Sequence, residues 1–82
     1  MDEKKFLEDF ATIFDDVEVT DLHLDSEFKT FEEWSSLVAL GLLAVMEEEY
    51  NFQLTSKDIE NAVTIRDIFN LIQGKNGVST DS

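Results

Sequence analysis

Eighty-two residues are enough for one small domain near the lower limit of independent stability, and the absence of cysteine rules out disulfides and any thiol of the chain's own. With 43% apolar residues the chain is globular rather than disordered, and the lack of proline together with only three glycines favours helices over a turn-rich β architecture. Nineteen acidic residues against six basic ones, a formal net charge of −13, argue against nucleic-acid phosphates and anionic lipid heads as partners and favour basic protein patches.

The N-terminal MDEKKFLEDF is charged and amphipathic, unlike a secretory signal. It opens a helix over residues 3–14, where Phe6, Leu7, Phe10, Ile13 and Phe14 form one apolar stripe at helical spacing. Periodicity is then lost over residues 15–33, DDVEVTDLHLDSEFKTFEE, which read as a long connection packed on the core through its scattered valines, leucines and phenylalanines. A connection of that length in so small a domain is more often functional than idle. A second helix is expected from Ser35 or Ser36 to about Tyr50, and its charge-free run at 37–46 is too short to span a bilayer. Thr55 with Asp58, and Thr64 with Asp67, match the capping box that satisfies free amides in a helix's first turn. They open a short third helix and a fourth with Ile65, Ile68, Phe69, Leu71 and Ile72 facing inward, and Gly74 reads as its stop. The expected fold is therefore all-α: a small four-helix bundle of three principal helices and a short one, with a long loop between helices 1 and 2. The domain is expected over residues 1–74, with a disordered polar tail at 75–82, in a cytoplasmic monomer that inserts into no membrane and binds no nucleic acid.

Ser35 and Ser36 stand side by side where the second helix begins. The plainest reading makes one of them a helix cap, worth about 1 kcal/mol. A hydrolase nucleophile needs a base, but the only histidine, His23, lies in the long loop, and no G-x-S-x-G elbow surrounds either serine. The chain is expected not to be an enzyme. A third role is modification by another enzyme, since a phosphate ester on the first turn of a helix meets backbone amides and the favourable end of the dipole.

The segment WSSLVALGLLAVMEEEYNFQL resembles the core of the acyl carrier protein family, in which a serine of a D-S-L motif opens helix 2. Ser36-Leu37 supplies the S-L, Glu47-Glu48-Glu49-Tyr50 the acidic and aromatic ending, and IENAVTIRDIFNLI resembles the family's short third and its fourth helix. The likeness covers about residues 3–73. It implies that Ser36 receives 4′-phosphopantetheine from coenzyme A through a phosphodiester and carries acyl groups as thioesters on the arm's thiol. The implied function is a stand-alone carrier in a fatty-acid, polyketide or other specialised pathway, and the implied partners are a phosphopantetheinyl transferase and acyl-loading and acyl-processing enzymes with basic or apolar docking patches. The alternative is an acidic, non-enzymatic adaptor for a basic protein or a metal ion, with Ser36 only a cap.

The chain departs from the family pattern in two places. Ser35 replaces the aspartate before the modified serine, and Val38 and Gly41 stand where fatty-acid carriers have acidic docking residues. With Val45 they would make an apolar strip on one face of helix 2, either offered to a partner or packed under the long loop, and the expected partner-binding residues are Leu37, Val38, Gly41, Val45, Glu47 and Glu48. Trp34 is expected to pin the long loop. Asp21, His23, Asp25, Glu27 and Glu32 partly fit a calcium-loop frame, but Ser26 stands where it requires glycine, and no metal site is assigned.

Overall fold

Asp2 accepts the Lys4 amide at 3.1 Å and so caps α1, Glu3–Ala11, the first element of a computed structural model that describes residues 2–77. Two 3₁₀ turns, Val19–Asp21 and Phe28–Thr30, interrupt the connection to α2, Ser36–Tyr50. α3, Ser56–Asn61, and α4, Ile65–Gly77, complete an all-helical fold with no strand among the described residues. This is the small helical bundle expected from the sequence, and no helix among the described residues is long and apolar enough to cross a membrane.

α1 is shorter than its apolar stripe. The helix ends at Ala11 because the Thr12 hydroxyl donates back to the Asp9 carbonyl at 2.6 Å, and residues 12–14 continue only as a turn. Phe14 is buried nonetheless, packed on Phe31 with ring centroids 5.4 Å apart. At the other end of the chain Gly74 does not stop α4, which runs to Gly77. No glycine among the described residues takes the left-handed conformation of a helix stop, and a glycine inside a helix costs only about 1 kcal/mol relative to alanine. Residues 75–77 of the expected tail are thus helical, and 78–82 lie outside the described residues. The left-handed cap falls instead on Asn51 (φ 53°, ψ 37°), where α2 ends with the Asn51 amide on the Glu47 carbonyl and the Phe52 amide on that of Met46.

The core is built by one face of each helix, with Phe6 and Phe10 from α1, Leu42 and Met46 from α2, Ile59 from α3, and Ile65, Ile68, Phe69 and Ile72 from α4. Phe69, Phe6, Phe10, Phe28 and Trp34 form an unbroken chain of tilted and edge-on ring contacts, with centroids 5.1 to 6.0 Å apart. It runs from α4 through α1 into the long connection and ends beside Ser35. A second tie joins α1 to the end of α2. The Tyr50 hydroxyl donates to Asp9 at 2.6 Å, and Lys5 donates to Asp9 at 2.8 Å and to Glu49 at 3.4 Å. Burial, and then the bond to Asp9, hold the Tyr50 hydroxyl proton well above the usual phenol range.

The long connection is structured because it finishes α4. A helix leaves its first amides without intrahelical partners. Here the loop carbonyls of Ser26 and Leu24 accept the amides of Ile65 and Arg66, the first two of α4, at 3.1 and 2.6 Å, while Asp67 accepts the amides of Val63 and Thr64 just ahead of the helix at 2.7 and 3.1 Å. Leu22 and Leu24 are buried beneath this junction.

The bonds from Val63 and Thr64 hold the Asp67 carboxyl below its ordinary value of 3.8. A carboxyl depressed in the folded state stabilises above its unfolded pKa, and that contribution is lost as pH falls through the folded value. Asp67→Ala is therefore expected to lower stability by about 1 kcal/mol at neutral pH, with the difference from wild type closing as pH is taken below 3.8. Urea midpoints measured across pH check this, and an unchanging gap would contradict it.

Candidate functional site

The two adjacent serines have different tasks. Ser35 is extended (φ −158°, ψ 174°), and its hydroxyl accepts the Val38 amide at 3.3 Å while its carbonyl accepts that of Ala39 at 2.9 Å. Ser35 is thus the N-cap of α2. Ser36 is the first helical residue, exposed, and its hydroxyl makes no hydrogen bond among the described residues. The Ser36 and Leu37 amides likewise have no partner there. An unengaged hydroxyl thus sits over free N–H groups at the positive end of a 15-residue helix, where an anionic ester is favoured.

Ser36 opens onto a groove of about 700 Å³ between α2 and α3. Its apolar lining comes from Trp34, Ala39, Leu40, Leu43 and Ile59, and its polar lining from Lys29, Ser35, Ser36, Ser56 and Glu60. The volume is in the range of small-molecule sites. α3 forms the far wall because Thr55 and Asp58 make the expected capping box, each side chain accepting the other's amide at 3.1 and 3.0 Å, and because Ile59 is buried against the core. Trp34 lies edge-on to Phe28 at 5.1 Å and lines the groove, so one ring both holds the loop and walls the site. Lys29 crosses from the loop and donates to the carbonyls of Ile59 and Glu60 at 2.9 and 3.0 Å.

The expected partner-binding face is rotated in the structure. Val38, Gly41 and Val45 are half-buried, Val38 and Val45 pack on the core, and a side-chain carbon built on Gly41 would lie 4.0 Å from Ile13. They face the body of the protein and do not form an exposed strip. The outward face carries Leu37 at 77% exposure and Leu40 at 60%, with Ala44, Glu47 and Glu48 also exposed. These fall at offsets of 3, 7, 10 and 11 from Leu37 and share a side of the helix. The calcium-loop frame does not close. Asp25 is held 2.9 Å from Arg66, whose guanidinium keeps that carboxyl below its usual range, and no three acidic or histidine side chains among the described residues gather to hold a metal ion.

Sequence reading did not find Lys29, Ala39, Leu40, Leu43, Ser56, Ile59 or Glu60 as site residues. One signal was available, since Lys29 is the only basic residue between Lys5 and Lys57. Comparison with family models, with characterised proteins and with solved structures finds no match to this chain.

The division of labour between the serines has a direct consequence. Ser35→Ala removes the cap and is expected to lower stability by about 1 kcal/mol, whereas Ser36→Ala leaves the thermal midpoint within error of wild type. Equal losses in paired thermal melts would contradict the assignment.

Proposed function

We propose that this protein is a carrier of the acyl carrier type, in which Ser36 holds 4′-phosphopantetheine. The observation that carries this reading is the free, exposed Ser36 hydroxyl at the start of α2, beside a groove large enough for a small acyl chain. The resemblance of WSSLVALGLLAVMEEEYNFQL to the family supports it independently. The adaptor reading makes Ser36 a cap, and that place is filled by Ser35.

The residues present fit the group. In the transfer, Ser36 Oγ forms a bond to the phosphorus next to the pantetheine of coenzyme A, the pyrophosphate P–O bond breaks, adenosine 3′,5′-bisphosphate leaves, and the serine proton passes to a base of the transferase. The Ser36 and Leu37 amides then face the phosphodiester's negative charge. Ser35 keeps α2 intact as its neighbour is modified, and Trp34, Leu40, Leu43 and Ile59 shelter apolar cargo from water. When bound, the arm supplies the thiol on which acyl groups ride as thioesters, a chemistry the cysteine-free chain lacks. The protein itself catalyses no step. It presents cargo to enzymes that meet the outward face of α2, where Leu37 and Leu40 fit an apolar hollow and Glu47 and Glu48 fit basic side chains beside it.

Two outcomes are expected. Incubation with coenzyme A, magnesium and a broad-specificity phosphopantetheinyl transferase adds one phosphopantetheine to the intact mass of wild type and none to Ser36→Ala; an unchanged wild-type mass with both that enzyme and one dedicated to carriers lacking the D-S-L aspartate would sink the reading. Leu37→Glu is expected to slow the modification about tenfold, the scale set by losing one buried leucine contact, with an unaltered melting curve. An unchanged rate would remove Leu37 from the docking face.

A further inference from the structure

Only six basic residues stand against nineteen acidic ones, and carboxylates hold those that pair. Lys5 bonds Asp9 and Glu49, and Arg66 bonds Asp25. Lys4, Lys29 and Lys57 make no ion pair among the described residues, and of these only Lys29 lines the groove. The Lys29 ammonium donates to two main-chain carbonyls, of Ile59 and Glu60. Neutral carbonyls leave a full positive charge in place. An ammonium has three N–H donors, and two are used here, so one remains for whatever enters the groove that Lys29 lines.

The position of this charge decides what the groove can hold well. A saturated chain lying between Leu43 and Ile59 would strip water from the third N–H and give it no acceptor, which is unfavourable for any polar group and more so for a charged one. A chain with an oxygen beyond the thioester would replace that water with a charge-assisted hydrogen bond. Its apolar carbons would still lie on Ala39, Leu40 and Leu43.

We infer that the groove selects oxygen-bearing acyl chains over saturated ones and that Lys29 is the specificity-determining residue, an inference that rests on the carrier reading of Ser36. The cargo class is a short acyl group with a keto, hydroxyl or carboxylate oxygen a few carbons from the thioester. Lys29 reads that oxygen because its stem is fixed at both ends, by the buried Phe28 beside it and by the last turn of α3.

The test loads the protein with two arms of the same shape, 5-oxohexanoyl and 5-methylhexanoyl, by transfer from the corresponding acyl-coenzymes A. Two quantities are measured: the rate of thioester cleavage by hydroxylamine, normalised to the same acyl group on free pantetheine, and the amide shifts of Ile59 and Glu60. The oxo chain is expected to be cleaved about tenfold more slowly than the methyl chain, the scale of one hydrogen bond to a charged group, and it alone moves both amides. Lys29→Gln keeps N–H donors for the two carbonyls but removes the charge, so the rate ratio falls to about one, while Lys29→Arg retains the preference. Equal or better protection of the methyl chain in wild type overturns the inference without any variant, as does a preference that survives Lys29→Gln. If Ser36 accepts no arm, the carrier reading fails and the inference falls with it. If the arm attaches and no preference follows, the inference alone fails.

Discussion

The burial of Phe28 is the constraint on which the rest depends. Its ring is fully enclosed, edge-on to Phe10 of α1 on one side and to Trp34 on the other, at 5.3 and 5.1 Å. A 24-residue span between α1 and α2 would otherwise be free to move. Anchored at this point, it brings Lys29 across to α3, sets Trp34 against the groove and places Ser35 where its hydroxyl can cap α2. Phe28 also fixes the direction from which the chain enters that helix, which leaves Ser36 on the outside with its hydroxyl unengaged. The loop's earlier half, Leu22 to Ser26, meanwhile supplies the carbonyls that complete α4. One ring therefore couples the core to the site and to the start of the last helix.

The charge distribution follows a related logic. Carboxylates are spread over the surface, and some do local work: Asp67 and Asp58 cap helices, Glu33 accepts the amides of Asp15 and Asp16 at 2.8 Å, and Asp9 ties α1 to Tyr50. The outward face of α2 is different, since it is apolar until Glu47. The acidic surface repels other anionic surfaces at a distance, while the exposed leucines, Leu37 and Leu40, leave apolar area open on α2. The groove holds a lysine whose ammonium makes no ion pair with a carboxylate among the described residues. On the proposed carrier reading, the acidic surface, the leucine face and the groove would serve attraction, docking and cargo contact, with Leu40 shared between the last two.

Much of the fold was legible in the sequence, and the reasons differ by element. The apolar stripe of α1, the capping box at Thr55 and the inward face of α4 are local signals, read from spacing alone; of the box expected at Thr64 and Asp67 only the carboxylate half forms, since the Asp67 amide bonds the Thr64 carbonyl and not its hydroxyl. The start of α2 at the serine pair was equally local. Which way α2 faces was not readable, because ten residues without a charge give no polar side to mark the outside; the strip at Val38, Gly41 and Val45 and the one at Leu37, Leu40 and Ala44 look alike until the core is assembled. Gly74 misled because a glycine signals a helix stop only where the backbone turns left-handed, and Asn51 took that conformation instead. The groove was hidden for a topological reason. Lys29 meets the Ile59 carbonyl 30 residues away, a contact with no local trace.

The central claim is that α2 begins with a division between a structural serine and a chemical one, beside a groove that serves the second. It is tested most directly by comparing amide spectra of the protein before and after treatment with coenzyme A and phosphopantetheinyl transferase. The account predicts the largest shifts at Ser36 and Leu37, smaller ones at Trp34 and Ile59 along the groove, and little change at the Val38 amide that Ser35 caps. An unchanged spectrum, or changes centred on Ser35 and Val38 with Ser36 undisturbed, would contradict it.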